Sequence, residues 1–148
     1  MNDTIKKFGW PATLIREYEH WLVLLRPAQV TLGSLILAAK SEAFAFGALP
    51  PAAYAELACV TAEVEATLAR FTAYDKLNYL MLMMVDPHVH FHVFPRYDGE
   101  RSFAEATVPD SGWPQSPALH QAQALEAHLR DRLVSALKNG WQTVPSGD

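Results

Sequence analysis

The chain has 148 residues, 50% of them apolar and 19% charged, and its twelve Lys and Arg against sixteen Asp and Glu give a net charge of −4. That length suits one domain with its own core, the apolar fraction excludes a disordered chain, and the acidic balance leaves no basic footprint for polymeric DNA or RNA. Cys59 is the single cysteine, the first residues lack a secretory apolar stretch, and no segment reaches the ~18 apolar residues of a membrane span, so a reducing cytoplasm is the expected setting.

In chain order, a short amphipathic piece spans about Pro11 to Tyr18, and the apolar runs Trp21 to Leu25 and Leu35 to Ala38 predict strands. Gln29 to Ser34 connects them, with Gly33 marking the turn. From Pro51 to Phe71 the spacing turns helical, with Tyr54, Leu57, Thr61, Val64, Leu68 and Phe71 on one stripe, and Pro50 and Pro51 suit the start because a first helical residue needs no amide donor. Leu77 to Met84 and Val89 to Phe94 predict a hairpin whose strands are separated by Asp86 and Pro87. Tyr97 to Pro117 is rich in turn residues and predicts a loop. Ser116 and Pro117 then open a final helix carrying Leu119, Ala122, Leu125, Leu129, Leu133 and Leu137, which Gly140 ends. This order predicts a single α+β domain over 1–148, with a core at about 20–97, a C-terminal loop and helix over 98–140, and an antiparallel sheet carrying helices on one face.

The chemistry concentrates in His88-Val89-His90-Phe91-His92-Val93-Phe94-Pro95-Arg96. Side chains on a strand alternate faces, so Val89, Phe91 and Val93 point to the core and the three imidazoles point away from it. A solvated strand face is the plain alternative, but such faces draw on Thr, Lys, Glu and Ser instead of one residue that titrates near neutral pH. Two of the rings can share a metal such as zinc. Three are hard to gather, because the outer α-carbons lie ~13 Å apart at about 3.4 Å per residue while zinc–nitrogen bonds are ~2.0 Å. An extended anionic substrate fits the row better: one neutral ring attacks phosphorus while a protonated neighbour hydrogen-bonds the leaving oxygen and gives up its proton. Arg96, just beyond Pro95, is a candidate phosphate donor.

Alternating histidine and apolar residues ending in Pro-Arg resemble the signature of the histidine triad (HIT) family of nucleotide hydrolases and transferases. Trp21 to Ala38 is similar to the family's first two sheet strands with their glycine-containing turn, and the helix from Pro51 falls where the family has its long helix. The resemblance covers about residues 20–97 and implies a sheet of about five strands with a long helix and a C-terminal helix. It implies catalytic roles for three residues: His90 as the nucleophile toward the α-phosphate, His88 as its support through a main-chain carbonyl, and His92 at the phosphate and leaving group. It further implies nucleotide conjugates or dinucleoside polyphosphates as substrates, a covalent nucleotidyl-histidine intermediate, and a homodimer. No cofactor is required for the covalent step, and Mg²⁺ enters only with a polyphosphate whose charge it neutralises.

The chain departs from many relatives in two places. Gly33-Ser34 stands where they carry Gly-His, and Met83-Met84-Val85-Asp86-Pro87 replaces a glycine-containing phosphate loop. Ser34, Gln29, Arg26 and Asn78 join Arg96 as expected substrate contacts. Two other functions remain open on sequence: a nonenzymatic nucleotide-binding dimer, and a metalloenzyme using two of the triad rings.

Overall fold

Two runs without a single polar residue, 21–25 and 35–39, form the centre of the sheet and are buried along their whole length. A strand covered on both faces has no solvent side to alternate with, which is why these read as continuous apolar stretches. The computed structural model describes residues 1–145. Its elements are α1 (Asp3–Lys7), β1 (Leu14–Glu17), β2 (Trp21–Leu25), β3 (Ala28–Gln29), β4 (Leu35–Ala39), α2 (Pro51–Thr72), β5 (Lys76–Leu80), β6 (His90–Arg96), β7 (Glu100–Phe103), β8 (Ala106–Pro109), β9 (Gln123–Ala124) and α3 (Ala127–Asn139). The fold is α+β, with a five-stranded antiparallel sheet in the order β1-β2-β4-β6-β5.

The register sets which residues share a face. Leu24 pairs with Ile36 and Ile36 with His92, while Leu22 pairs with Ala38 and Ala38 with His90. The opposite face carries Trp21, Val23, Leu25, Leu35, Leu37 and Val93, which pack with Val60, Val64 and Leu68 of α2 and with Leu133 and Leu137 of α3. Both long helices therefore cover one face, as the α+β reading expects. The other face is not left open: α1 and the residues after it cover part of it, with Ile5, Phe8, Trp10 and Leu14 packed on Leu22, Leu24, Ile36 and Ala38. Asn2 fastens that short helix, capping it by accepting from the Ile5 amide while its own amide donates to Ala39 and Ser41 carbonyls at 3.0 Å.

Several boundaries differ from the sequence reading. The buried stripe of α2 runs through Ala53, Val60, Val64, Thr67 and Leu68, so Tyr54, Leu57 and Phe71 flank the core. Strand β5 stops at Leu80 and not Met84, because Met83 takes a left-handed backbone (φ 48°) that no extended ladder accommodates. Residues 97–117 hold the β7–β8 hairpin in place of a plain loop. The last helix begins at Ala127, not at Pro117, since Gln123 and Ala124 are drawn off to pair with Gln29 and Ala28. Gly33 does occupy its turn with φ 95°, and a β-carbon there would lie 3.1 Å from Thr72 Cγ2 and 3.2 Å from Pro95 Cγ. Among the described residues no helix is long and apolar enough to cross a membrane.

Candidate active site

Strand β6 begins at His90, and His88 lies on the bend just before it. His90 Nδ1 lies 2.7 Å from the His88 carbonyl, an oxygen that can only accept, so this nitrogen carries the proton. The proton of a neutral imidazole sits on one nitrogen, so Nε2 of His90 keeps its lone pair. His92 is arranged the opposite way. Arg26 Nε donates to His92 Nδ1 at 3.2 Å, which leaves the proton of the neutral ring on Nε2. The two ring centroids are 5.1 Å apart. One of two neighbouring rings thus keeps a nitrogen lone pair and the other an N–H donor, the combination needed to attack an electrophilic centre while holding one of its oxygens.

A cavity of about 140 Å³ opens on both rings, lined otherwise by Leu82, Met83, Met84, Val85 and Asp86. Lys7 Nζ meets Asp86 Oδ1 at 2.6 Å, joining this loop to α1. Phe8 lies against both rings, at centroid distances of 5.5 Å from His90 and 5.9 Å from His92. Two larger cavities lie elsewhere, about 390 Å³ beside Glu105, Gln123 and His128 and about 200 Å³ between α2 and α3. Neither contains a ring nitrogen held in one tautomer by a main-chain carbonyl.

His92 has a proton affinity unlike that of a free imidazole. Burial, then the Arg26 guanidinium, then His90 push its pKa down to about 4 against a small opposing pull from Asp86. The ring is therefore neutral at pH 7, where the sequence reading expected a protonated donor. The folded state binds fewer protons here than the unfolded chain, so this contribution to stability is complete above about pH 6.5 and is lost as pH falls toward 4. We expect wild-type stability to fall more steeply across that window than that of His92→Asn, with a difference of at most about 1.4 kcal/mol per pH unit. Urea titrations of both proteins at several pH values check this, and parallel curves would refute it.

His88 directs its ring elsewhere. Thr4 Oγ1 lies 2.8 Å from Nδ1 and Glu42 Oε2 lies 3.1 Å from Nε2, while Phe44 meets the ring edge-on at 4.9 Å. The His88 amide also donates to Thr4 Oγ1, at 3.3 Å. Sequence reasoning missed Thr4, Glu42 and Phe8. Their partners are 84, 46 and more than eighty positions away along the chain, so no local pattern announces them.

Of the five expected substrate contacts, only Arg26 reaches a triad ring, and its Nη1 also donates to the Ala28 carbonyl at 2.5 Å. The side chains of the other four are engaged by the protein's own groups. Gln29 is fully buried; its amide donates to the Arg26 and Ser34 carbonyls, and its oxygen accepts from the Gly33 and Ser34 amides. Ser34 is equally buried, donating to the Thr31 carbonyl and accepting from the Thr31 amide. Both brace the tight turn at Gly33. Arg96 grips Asp110 with two hydrogen bonds of 2.7 and 3.0 Å and donates to Asn78 Oδ1 and the Gln115 carbonyl at 2.8 Å, which also accounts for Asn78. Among the described residues no group of three or more His, Cys, Asp and Glu is placed to hold a metal ion.

No protein-family model and no curated protein matches the sequence. Solved structures do. A histidine triad protein from Bradyrhizobium japonicum is 21% identical, with 96% of this chain and 97% of that one covered at a TM-score of 0.71. A histidine triad protein from Sinorhizobium meliloti is 19% identical, with 95% of each chain covered at 0.73. The diadenosine triphosphate hydrolase of Plasmodium falciparum is 8% identical, covering 93% of this chain and 92% of its own at 0.63. This chain has the histidine triad fold.

Proposed function

We propose that the protein is a nucleotide hydrolase or nucleotidyl transferase of the histidine triad family. It acts at the α-phosphate of a nucleotide conjugate or dinucleoside polyphosphate through a nucleotidyl-histidine intermediate. One observation carries the reading: His90 Nδ1–H is held on the His88 carbonyl at 2.7 Å, which keeps a lone pair on Nε2 of a ring that lines the cavity together with His92, its neighbour at 5.1 Å between centroids. The same fold in a diadenosine triphosphate hydrolase adds support from outside the chain.

In the proposed reaction Nε2 of His90 attacks phosphorus, forming the P–N bond as the bond to the leaving group breaks. His92 Nε2–H hydrogen-bonds a phosphoryl oxygen while the leaving group takes its proton from solvent; water or an acceptor alcohol then attacks phosphorus, breaks the P–N bond and gives its proton to solvent, which releases the nucleotide and restores the neutral ring. A neutral His92 holds charge better than it donates a proton, so good leaving groups gain most from this site. Pockets that take whole drug-sized ligands run to roughly 300–1,000 Å³, against the cavity's 140 Å³. The reacting phosphate is accordingly assigned to the cavity and the rest of the substrate to the ground beyond the exposed Met84 and Val85.

The proposal includes a homodimer working in the cytoplasm. Strand β5 is an edge of the sheet, and Tyr54, Leu57 and Phe71 flank the core on α2, so both an edge and an apolar helix flank are on offer to a second copy.

The test is a millisecond mix with nucleoside phosphoramidates and dinucleoside polyphosphates, quenched in alkaline denaturant because P–N bonds hydrolyse in acid, followed by peptide mass mapping. A nucleotidyl adduct on His90 is expected. Nucleotide binding with neither adduct nor turnover across the panel would leave a nonenzymatic binding dimer instead.

A further inference from the structure

We propose that Thr4 is a positioning residue for the His90 nucleophile: its hydroxyl grips both the ring and the main chain of His88 and thereby fixes the carbonyl that keeps His90 in its Nδ1–H form. The inference rests on the reading of His90 as nucleophile and adds a part of the chain, α1, that the histidine signature does not contain.

The His88 carbonyl is held by little of the sheet itself. The ladder between β4 and β6 begins at the Ala38–His90 pair, so residue 88 lies outside it. The peptide bearing that carbonyl is tied through the Val89 amide, which donates to the Ala43 carbonyl over a long 3.3 Å. Thr4 supplies the second hold. One hydroxyl oxygen accepts from the His88 amide at 3.3 Å, and its proton goes to His88 Nδ1 at 2.8 Å. Both bonds close on the same residue, fixing the side-chain rotamer and the main-chain direction together.

The hydrogen bonds also agree on tautomers. A hydroxyl has one proton, and with the His88 amide already donating to it, that proton is free for Nδ1; His88 then carries its own proton on Nε2, where Glu42 accepts it. Thr4 itself is held still. It is only 2% exposed, and Asn2, two residues earlier, ties the helix start to Ala39 and Ser41. The chain His90 Nδ1–H to His88 carbonyl, and His88 to Thr4, is therefore continuous from the attacking ring to α1. Valine matches threonine in shape but can neither donate nor accept, so Thr4→Val deletes the grip without opening a cavity.

Nitrogen-15 NMR of histidine-labelled full-length protein, well above the pH range in which imidazoles titrate, reads the tautomers directly and needs no substrate. The wild type should show His88 protonated on Nε2 and His90 on Nδ1. Thr4→Val should convert His90 to a mixture of tautomers and lower kcat about tenfold with little change in KM, the worth of one hydrogen bond in the transition state. Thr4→Ser should restore both. Lys7→Ala, which loosens α1 from the loop without touching His88, should leave the His90 tautomer alone. The proposal is overturned by His88 protonated on Nδ1 in the wild type, by Thr4→Val leaving His90 wholly Nδ1–H, or by an equal tautomer shift in Lys7→Ala. If the tautomers respond as stated while the wild type forms no adduct, the positioning role is supported and nucleotidyl transfer is what fails.

Discussion

Replacing His90 with asparagine is expected to lower turnover by at least about 10⁴-fold, the scale seen when an enzyme loses its nucleophile, while the protein stays folded. His90 is almost fully buried, 1% exposed, with Phe8 against its ring, so a truncation to alanine would confound chemistry with packing. Asparagine avoids that. Its side-chain amide can still donate to the His88 carbonyl that Nδ1 now reaches at 2.7 Å, but it presents no nitrogen lone pair for phosphorus. Turnover of a phosphoramidate by purified His90→Asn, beside its urea midpoint, separates the two effects. Activity within tenfold of wild type at an unchanged midpoint would remove His90 from the mechanism, whatever the tautomer of its ring.

The parts of this molecule legible in the sequence are those with a local period. Strand β6 shows itself because alternation places Val89 and Val93 in the core and His90 and His92 opposite, a pattern of two that needs no knowledge of neighbours. Helix α2 is legible for the same reason, and the Gly33 turn because a left-handed backbone calls for glycine. Helix α1 is not: it has five residues, too few for a stripe to emerge, and it is held by an Asn2 cap and by contacts with strands far along the chain. The functional polar residues were the hardest to read. Gln29 and Ser34 look like ligands, yet a tight turn leaves buried amides and carbonyls that need partners, and these two side chains supply them. A glutamine four positions before a turn glycine was the available signal. Thr4 gave none, since its role exists only once the fold brings residue 88 beside it.

Arg96 presents the second large effect, and it falls on stability instead of chemistry. Its guanidinium, 4% exposed, makes a two-pronged contact with the nearly inaccessible Asp110 carboxylate and two further bonds to Asn78 and Gln115. Asp110 also accepts from the Tyr97 amide, so the cluster pins residues 110–115 to the end of β6. Arg96→Met keeps much of the apolar stem but strands a buried carboxylate with one remaining donor, which should cost about 3–5 kcal/mol of unfolding free energy. Pairing it with Asp110→Leu removes the orphaned charge and should recover most of that loss, because two apolar groups can replace a buried ion pair at little net cost. Urea unfolding of the single and double variants measures both. If instead Arg96→Met unfolded within about 1 kcal/mol of wild type and lost its nucleotide affinity, the guanidinium would be a phosphate ligand after all. Four well-formed hydrogen bonds within the protein argue against that, since a phosphate would have to displace Asp110 from a site where the carboxylate has nowhere else to go.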